Sequence, residues 1–290
     1  MRLLIISTFL LFLFIHSKAQ LQVGIMTGLS NYEGDLDDEP FKPLRPAFGI
    51  TAGYQLSNHV FARAGITLAK VAGADRYGKS DYQKQTRNLS FESTIKEISL
   101  TGELTIFNTE VMHWSPYLLG GVALFHFNPY TFTTSGEKVY LKPLSTEGQG
   151  LSQYPDRKPY ALTQFALPFG GGLRYNLSDN VQIRMELGIR KLFTDYLDDI
   201  STSFIDPAIL LSEKGPLAVD LSYRGDEVPG ETDAYPDNDY PLFGASRGSP
   251  KGKDWYYFSV VHLTFRLGSL TNRQNSGYKR RGYGCPAFPM

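Results

Sequence analysis

The chain has one cysteine, no excess of either charge, and no apolar run beyond its first fifteen residues long enough to cross a bilayer as a helix. Each shortage excludes something. A single Cys285 rules out an intramolecular disulfide framework and any cysteine-rich zinc or iron–sulfur site. With 29 Lys and Arg against 29 Asp and Glu, bulk phosphate attraction is excluded, and with it a nucleic-acid partner. The five histidines are scattered, with no metal-ligand spacing and no H-E-x-x-H, so no metal and no cofactor is expected. No G-x-S-x-G elbow occurs, which removes the α/β-hydrolases. What the chain has in quantity is aromatic side chains, 13% of 290 residues, together with 28 glycines, a composition common in all-β proteins.

The first residues read as an export signal. Arg2 is a short basic start, Leu3–Ile15 is almost wholly apolar, and Ser17-Lys18-Ala19 sets small residues at the −3 and −1 positions of a cleavage site. An uncleaved anchor fits less well, because the apolar run is shorter than the ~20 residues a spanning helix needs. Loss of residues 1–19 removes Arg2 and Lys18 and no acidic residue, leaving 27 basic against 29 acidic side chains.

Period-two alternation dominates the rest. Phe48, Ile50, Ala52, Tyr54 and Leu56 share one face; Ile98, Leu100, Gly102, Leu104 and Ile106 oppose Glu97, Ser99, Thr101, Glu103 and Thr105. Val181, Ile183, Met185, Leu187 and Ile189 oppose Gln182, Arg184, Glu186, Gly188 and Arg190. This is the strand period, and the runs match the ~9–11 residues a strand needs to cross a bilayer. The polar faces mix small residues with charges of both signs, which suits a narrow interior in which Arg63, Glu97, Glu103, Arg174, Arg184, Glu186 and Arg190 form ion pairs. The apolar faces then meet membrane lipid.

Eight segments emerge, about 20–33, 45–57, 59–72, 88–107, 114–128, 161–177, 180–195 and 254–267, joined alternately by short and long connections. The expected fold is an eight-stranded antiparallel transmembrane β-barrel of the OmpA/OmpX kind over residues 20–267, with tight periplasmic turns and long external loops. A soluble β-sandwich or lipocalin-like barrel is the alternative. Aromatics near segment ends (Tyr32, Tyr54, Trp114, Tyr117, Tyr130, Tyr175, Trp255, Tyr256 and Tyr257) are expected in interfacial girdles. Eight strands leave no water channel, so a porin is disfavoured.

Chemistry outside the strands is sparse. His126 and Ser135 are the nearest approach to a lipid-hydrolysing pair at a barrel rim, and their spacing does not support one; no enzymatic role is expected. Acidic stretches at 35–39, 195–199 and 226–239 read as solvated loop surface, with Asp195, Asp198 and Asp199 the best cation candidates and no EF-hand pattern among them. The Gly170-Gly171-Gly172 run reads as close packing in the wall. The loop from 201 to 253 shows no separate motif. Residues 268–290 form a polar, Gly-rich tail, read either as a disordered end or as a docking segment built on Lys279, Arg280, Arg281, Tyr283, Cys285 and Phe288. An odd Cys in an exported protein suggests an intermolecular bond or a metal contact.

Several stretches together carry a resemblance: Asn31-Tyr32-Glu33-Gly34-Asp35-Leu36, Pro143–Gly150 with Tyr154–Tyr160, Arg190–Asp199, and Gly284–Phe288. With these the chain resembles the PorG-like outer-membrane barrels of type IX secretion systems over essentially its whole mature length. The resemblance implies a non-enzymatic anchor in the outer membrane of a Gram-negative bacterium, both termini periplasmic. It also implies periplasmic partners, the PorK ring lipoprotein and PorN, with Cys285 a candidate covalent tie. An OmpX-like surface barrel for adhesion or envelope integrity, working through its loops, is the alternative.

Overall fold

The structure is a computed structural model that describes residues 21–36, 42–77, 87–107, 112–228 and 240–267. In chain order its strands are β1 (Leu21–Glu33), β2 (Arg45–Gln55), β3 (Val60–Ala74), β4 (Ser90–Thr105) and β5 (Trp114–His126). They continue with β6 (Tyr130–Phe132), β7 (Lys138–Tyr140), β8 (Thr163–Asn176), β9 (Val181–Leu192) and β10 (Trp255–Arg266). Eight of them, all but the short hairpin β6–β7, pair antiparallel with their chain neighbours; β1 pairs with β10, so no edge is left open. The expected segments agree with these strands to within three residues at every boundary.

The outward faces carry the apolar set. Ile98 is 61% exposed and Phe165 67%, and Ile50, Leu68, Leu118 and Met185 are exposed beside them. An exposed apolar surface of this extent is the wall of a barrel made for lipid. In one place the wall is thin: the row Val23–Ala52–Ala64, which Phe265 bounds at one end, presents small side chains beside the Ile25–Ile50–Ile66–Ile98 row, leaving an apolar groove of about 540 Å³.

One rim is closed by tight turns. Leu56 N donates to Val60 O at 2.9 Å and Leu177 N to Val181 O at 2.9 Å, while Ser57 and Ser178 hydroxyls accept from the amides of Val60 and Val181. The repeated Leu-Ser start explains the repeated geometry, because a serine oxygen caps an amide two or three residues on. The first strand begins and the last strand ends at this same rim, where Leu267 N donates to Leu21 O at 2.8 Å.

The interior has two layers. Near the turn rim it is polar and charged. Towards the opposite rim it becomes apolar, with Phe91, Ile95, Phe125, Leu192 and Phe258 buried together with loop residues Leu36, Leu141, Leu197 and Ile200. The long loops therefore share the barrel's core, and fold down over it as a cap.

Candidate functional site: an ion-paired lumen under a folded cap

The charged layer gathers the seven predicted interior residues. Glu103 lies 3.1 Å from Arg63, 2.5 Å from Arg174 and 2.9 Å from Arg184. Arg63 also meets Glu186 at 2.7 Å, and Arg190 meets Glu97 at 3.2 Å. The inward side of each strand supplies these groups because strand side chains alternate. Tyr117 donates to Glu186 and Tyr256 to Glu97, while Arg184 reaches Gln22 and Gln182, so the layer is laced by hydrogen bonds as well as charge. Phe61 lies under Arg184 with 4.5 Å between guanidinium and ring centre. His262 is buried beside Glu186, 3.6 Å away. Side chains from seven of the eight strands, all but β2, thus meet in this layer. Glycines permit the fit: a Cβ on Gly49 would meet Met26 at 2.9 Å and the Ile66 carbonyl oxygen at 2.8 Å.

Above the apolar layer, a chain of ring contacts leads outward. Phe258 touches Tyr256, Tyr256 touches Phe125, Phe125 stacks on Phe127, Phe127 on Tyr160, and Tyr160 on Tyr196 at 4.9 Å. This corrects the girdle expectation for four residues. Tyr32, Tyr117, Tyr130 and Tyr256 are buried, because their strand parity faces them inward or the loop hairpin covers them, whereas Trp114 and Tyr175 are exposed on the outer wall.

Glu147 is the centre of the cap. Fully buried, it accepts hydrogen bonds from the amides of Ser201 (2.9 Å) and Thr202 (3.0 Å), from the Thr202 hydroxyl (2.7 Å) and from Arg247 (3.0 Å). The left-handed φ of +77° at Gly148 makes the turn, and a Cβ there would lie 2.7 Å from the Tyr154 ring. Arg157 ties the same loop to the Glu147 carbonyl (2.7 Å) and the Ser203 carbonyl (2.8 Å). Arg247 also donates to the Asp199 and Ser222 carbonyls, and Arg87, doubly bonded to Asp75, donates to the Arg247 carbonyl.

Carboxylates surround this centre. Asp198 accepts from the Tyr32 hydroxyl at 2.5 Å, and the same hydroxyl lies 3.4 Å from Asp254. Asp199 accepts from Thr146 (2.5 Å) and Tyr160 (2.6 Å); Asp195 accepts from Ser201, and Asp35 from the Ser249 amide. Burial pushes Asp199 up to about 6, against the opposing pull of Arg247. Asp35 is likewise raised to about 6 by burial. Burial and mutual repulsion hold Asp198 and Asp254 well above the ordinary carboxylate range.

This corrects the solvated-surface expectation for 195–199: Asp195, Asp198 and Asp199 are buried, because hydroxyls of Tyr32 in β1 and of Thr146 and Tyr160 in the 141–162 loop converge on them with Ser201 and the Ile200 amide of their own loop. The same bonds direct the three carboxylates to separate partners, and no group of three metal-binding side chains occurs among the described residues. The described residues of the 201–253 loop, which shows no motif in sequence, contain two short α-helices, α1 (Pro207–Lys214) and α2 (Pro216–Ser222). Asp206 caps α1 through the Ala208 amide at 2.8 Å, and Gly215, with φ +84°, separates the two. Leu210 and Ala218 pack them on Leu151 and Ile205. His126 bonds Thr163 and Ser135 bonds Thr133, so those two are not partners of each other.

Three loop stretches singled out in the sequence thus converge: Tyr32 and Asp35 from 31–36, Thr146, Glu147, Arg157 and Tyr160 from 143–160, and Asp195, Asp198 and Asp199 from 190–199. Glu147, Arg247, Arg87 and Asp254 escape pattern reasoning, since their partners lie far away in the chain. A lone acid inside the Ser-Thr-Glu-Gly-Gln-Gly run was the only local sign of the hub. The tail residues Lys279, Arg280, Arg281, Tyr283, Cys285 and Phe288, the signal segment 1–19 and most of the 226–239 run lie outside the described residues.

A family model described as a domain of unknown function (DUF6089) matches residues 2–204. No curated protein sequence matches the chain. Among solved structures it is similar to Neisserial surface protein A (9% identity, TM-score 0.41, covering 87% of this chain and all of that one). It is also similar to Ail of Yersinia pestis (9%, 0.38, 86% and 97%) and to OprG of Pseudomonas aeruginosa (10%, 0.37, 85% and 95%).

Proposed function

We propose that this chain, which belongs to the DUF6089 domain family, is a non-enzymatic barrel of the outer membrane that anchors a periplasmic assembly through residues 268–290. The observation that carries the reading is the filled lumen: charged and apolar layers occupy the space a solute would need, so the barrel acts through its surfaces and its ends. Leu267, the last described residue, lies at the rim of tight turns beside Leu21, and with that rim in the periplasm the segment that follows it is available to partners there. In the type IX reading the partner is the ring lipoprotein with other secretion subunits, and the output is protein secretion or gliding. The basic run Lys279–Arg281 with Tyr283, Cys285 and Phe288 makes a short linear docking segment, and Cys285 can join a partner cysteine by thiol–disulfide exchange with an oxidised dithiol of the periplasm, which is reduced to two thiols as the new disulfide forms.

Photo-crosslinking from position 283 in intact cells tests this. The reading expects one periplasmic adduct, loss of secretion on deletion of 268–290, and a Cys285→Ser variant lacking any reducible species. Absence of a periplasmic adduct, or secretion that survives the deletion, refutes the anchor; a quantitatively free Cys285 thiol refutes the covalent tie alone.

A second reading, a surface barrel serving adhesion or envelope integrity, is favoured by the order of the cap, whose buried network exceeds what a mere connection needs. It expects loss of function when 201–253 is trimmed and none when the tail is removed.

A further inference from the structure

We propose that the cap carries a binding site for one anionic sugar unit, a phosphorylated or carboxylated monosaccharide, in the cleft between Lys142 and Lys214. The cleft holds about 250 Å³ and is lined by Lys142, Pro143, Ser145, Gln149, Pro159 and Tyr160 with Lys214. That is less than a drug-sized ligand requires and more than a bare phosphate fills, a match for a single sugar ring with its charged substituent.

Three observations point to a ligand of this chemistry. First, the cleft is cationic. Lys142 and Lys214 face it from two different parts of the cap, and among the described residues neither pairs with a carboxylate. Lys214 donates one N–H to the Pro143 carbonyl at 3.1 Å, which places its ammonium at the cleft and leaves two donors. Lys142 lies 5.8 Å from the Tyr160 ring centre. Second, the cleft contains an uncommitted buried donor. The Gln149 side chain is 5% exposed; its oxygen accepts from the Glu147 amide at 3.1 Å, while its Nε2 has no protein partner. A buried amide N–H is costly to leave unpaired, so a ligand oxygen there gains the full value of the bond. Third, the walls suit a sugar better than a free ion. Pro143 and Pro159 offer apolar surface to the C–H groups of a pyranose, and the Tyr160 hydroxyl is already committed to Asp199.

The site is also held in shape. Ser145 takes a left-handed conformation, φ +51°, and its amide donates to the Lys142 carbonyl, which fixes the two lining residues relative to one another. Gly150, φ +80°, sends its amide to the Arg157 carbonyl at 2.7 Å. A preformed cleft loses little entropy on binding. The cleft is separate from the tail and stands whether or not the tail docks a periplasmic partner.

The test is calorimetric titration of the full-length mature chain, folded in detergent micelles, with glucose 1-phosphate, glucuronate, inorganic phosphate and glucose. The expected result is saturable binding of the two charged sugars, weaker binding of phosphate, and none of glucose. A Lys142→Gln/Lys214→Gln variant should bind at least about tenfold more weakly, as loss of charge-assisted bonds requires. A Gln149→Leu variant should lose affinity while its heat-modifiable gel migration stays unchanged, which separates binding from folding. A second arm distinguishes sources. If the natural ligand is a lipopolysaccharide headgroup, vesicles containing lipopolysaccharide perturb the Gln149 side-chain amide resonance and occlude glucose 1-phosphate; if it is soluble, both effects are missing and titration proceeds as in micelles. Equal affinity for glucose and its phosphate, or equal affinity of wild type and the double lysine variant, overturns the proposal, as does an absence of binding in both arms.

Discussion

Glu103→Gln tests whether the charged layer holds the barrel together. The carboxylate is fully buried and has three guanidiniums within 3.1 Å, from Arg63, Arg174 and Arg184. The amide keeps the shape, removes the charge, and presents an N–H where an acceptor is needed. Arg63 retains Glu186 at 2.7 Å, but Arg174 and Arg184 have no second carboxylate among the described residues. Stranding one member of a buried pair costs about 3–5 kcal/mol. Here two arginines are stranded, while the Gln oxygen still accepts one bond and Arg184 keeps Gln22 and Gln182, so the lower end, about 3 kcal/mol, is expected. The assay is urea unfolding in lipid vesicles, followed by loss of the faster-migrating folded band on unheated gels. Asp179→Asn in the exposed tight turn serves as the control, with a shift under about 0.5 kcal/mol. Coupling supplies the sharper test: in a double-mutant cycle with Arg174→Met the two losses should fall short of additivity by about 1–3 kcal/mol. A Glu103→Gln shift no larger than the control's, or strict additivity, refutes the claim that these charges are mutually dependent.

The other predictions concern the cap and the pore. Glu147→Gln weakens the bond to Arg247 and those to the 201–202 amides, and should lower the free energy of cap opening by about 2–4 kcal/mol; protease cutting within 193–254 then accelerates while the barrel band persists, and unchanged cutting contradicts the hub role. Acidification should tighten the cap. Asp199 rises from its ordinary 3.8 to about 6 in the fold, chiefly through burial, so its contribution is complete below pH about 4 and is lost as pH rises through about 6. Asp35, Asp198 and Asp254 act in the same direction. The urea midpoint of cap opening, read from Trp255 in a Trp114→Phe background, should therefore increase from about pH 8 to about pH 5, and a decrease reverses the assignment. In planar bilayers the folded barrel should show no porin-like conductance steps, since both interior layers are filled; stable steps of that size mean the lumen is open.

Much of the barrel was legible because strand alternation is local. Glu97, Ser99, Thr101 and Glu103 are polar at every second place, and that parity alone assigns one face of β4 to the interior before any partner is known. The same parity carries Arg63, Arg174, Arg184 and Arg190 inward. It also turns Tyr32, Tyr117 and Tyr256 inward, against the interfacial position their aromatic character suggests.

The cap was legible only as a set of recognisable words, not as a structure. Tyr32 meets Asp198 across 166 residues and Arg247 meets Glu147 across 100, separations at which no spacing rule operates. The sequence by itself determined eight strands, their faces, the alternating loop lengths and the charge of the lumen, all properties written in neighbouring residues. Which arginine meets which carboxylate, and the burial of Asp195, Asp198 and Asp199 in loops that read as solvated surface, were decided by closure of the barrel. Closing β1 onto β10 brings the loop ends to one rim, and only there do the distant hydroxyls of Tyr32, Thr146 and Tyr160 come close enough to replace the water those carboxylates would otherwise hold.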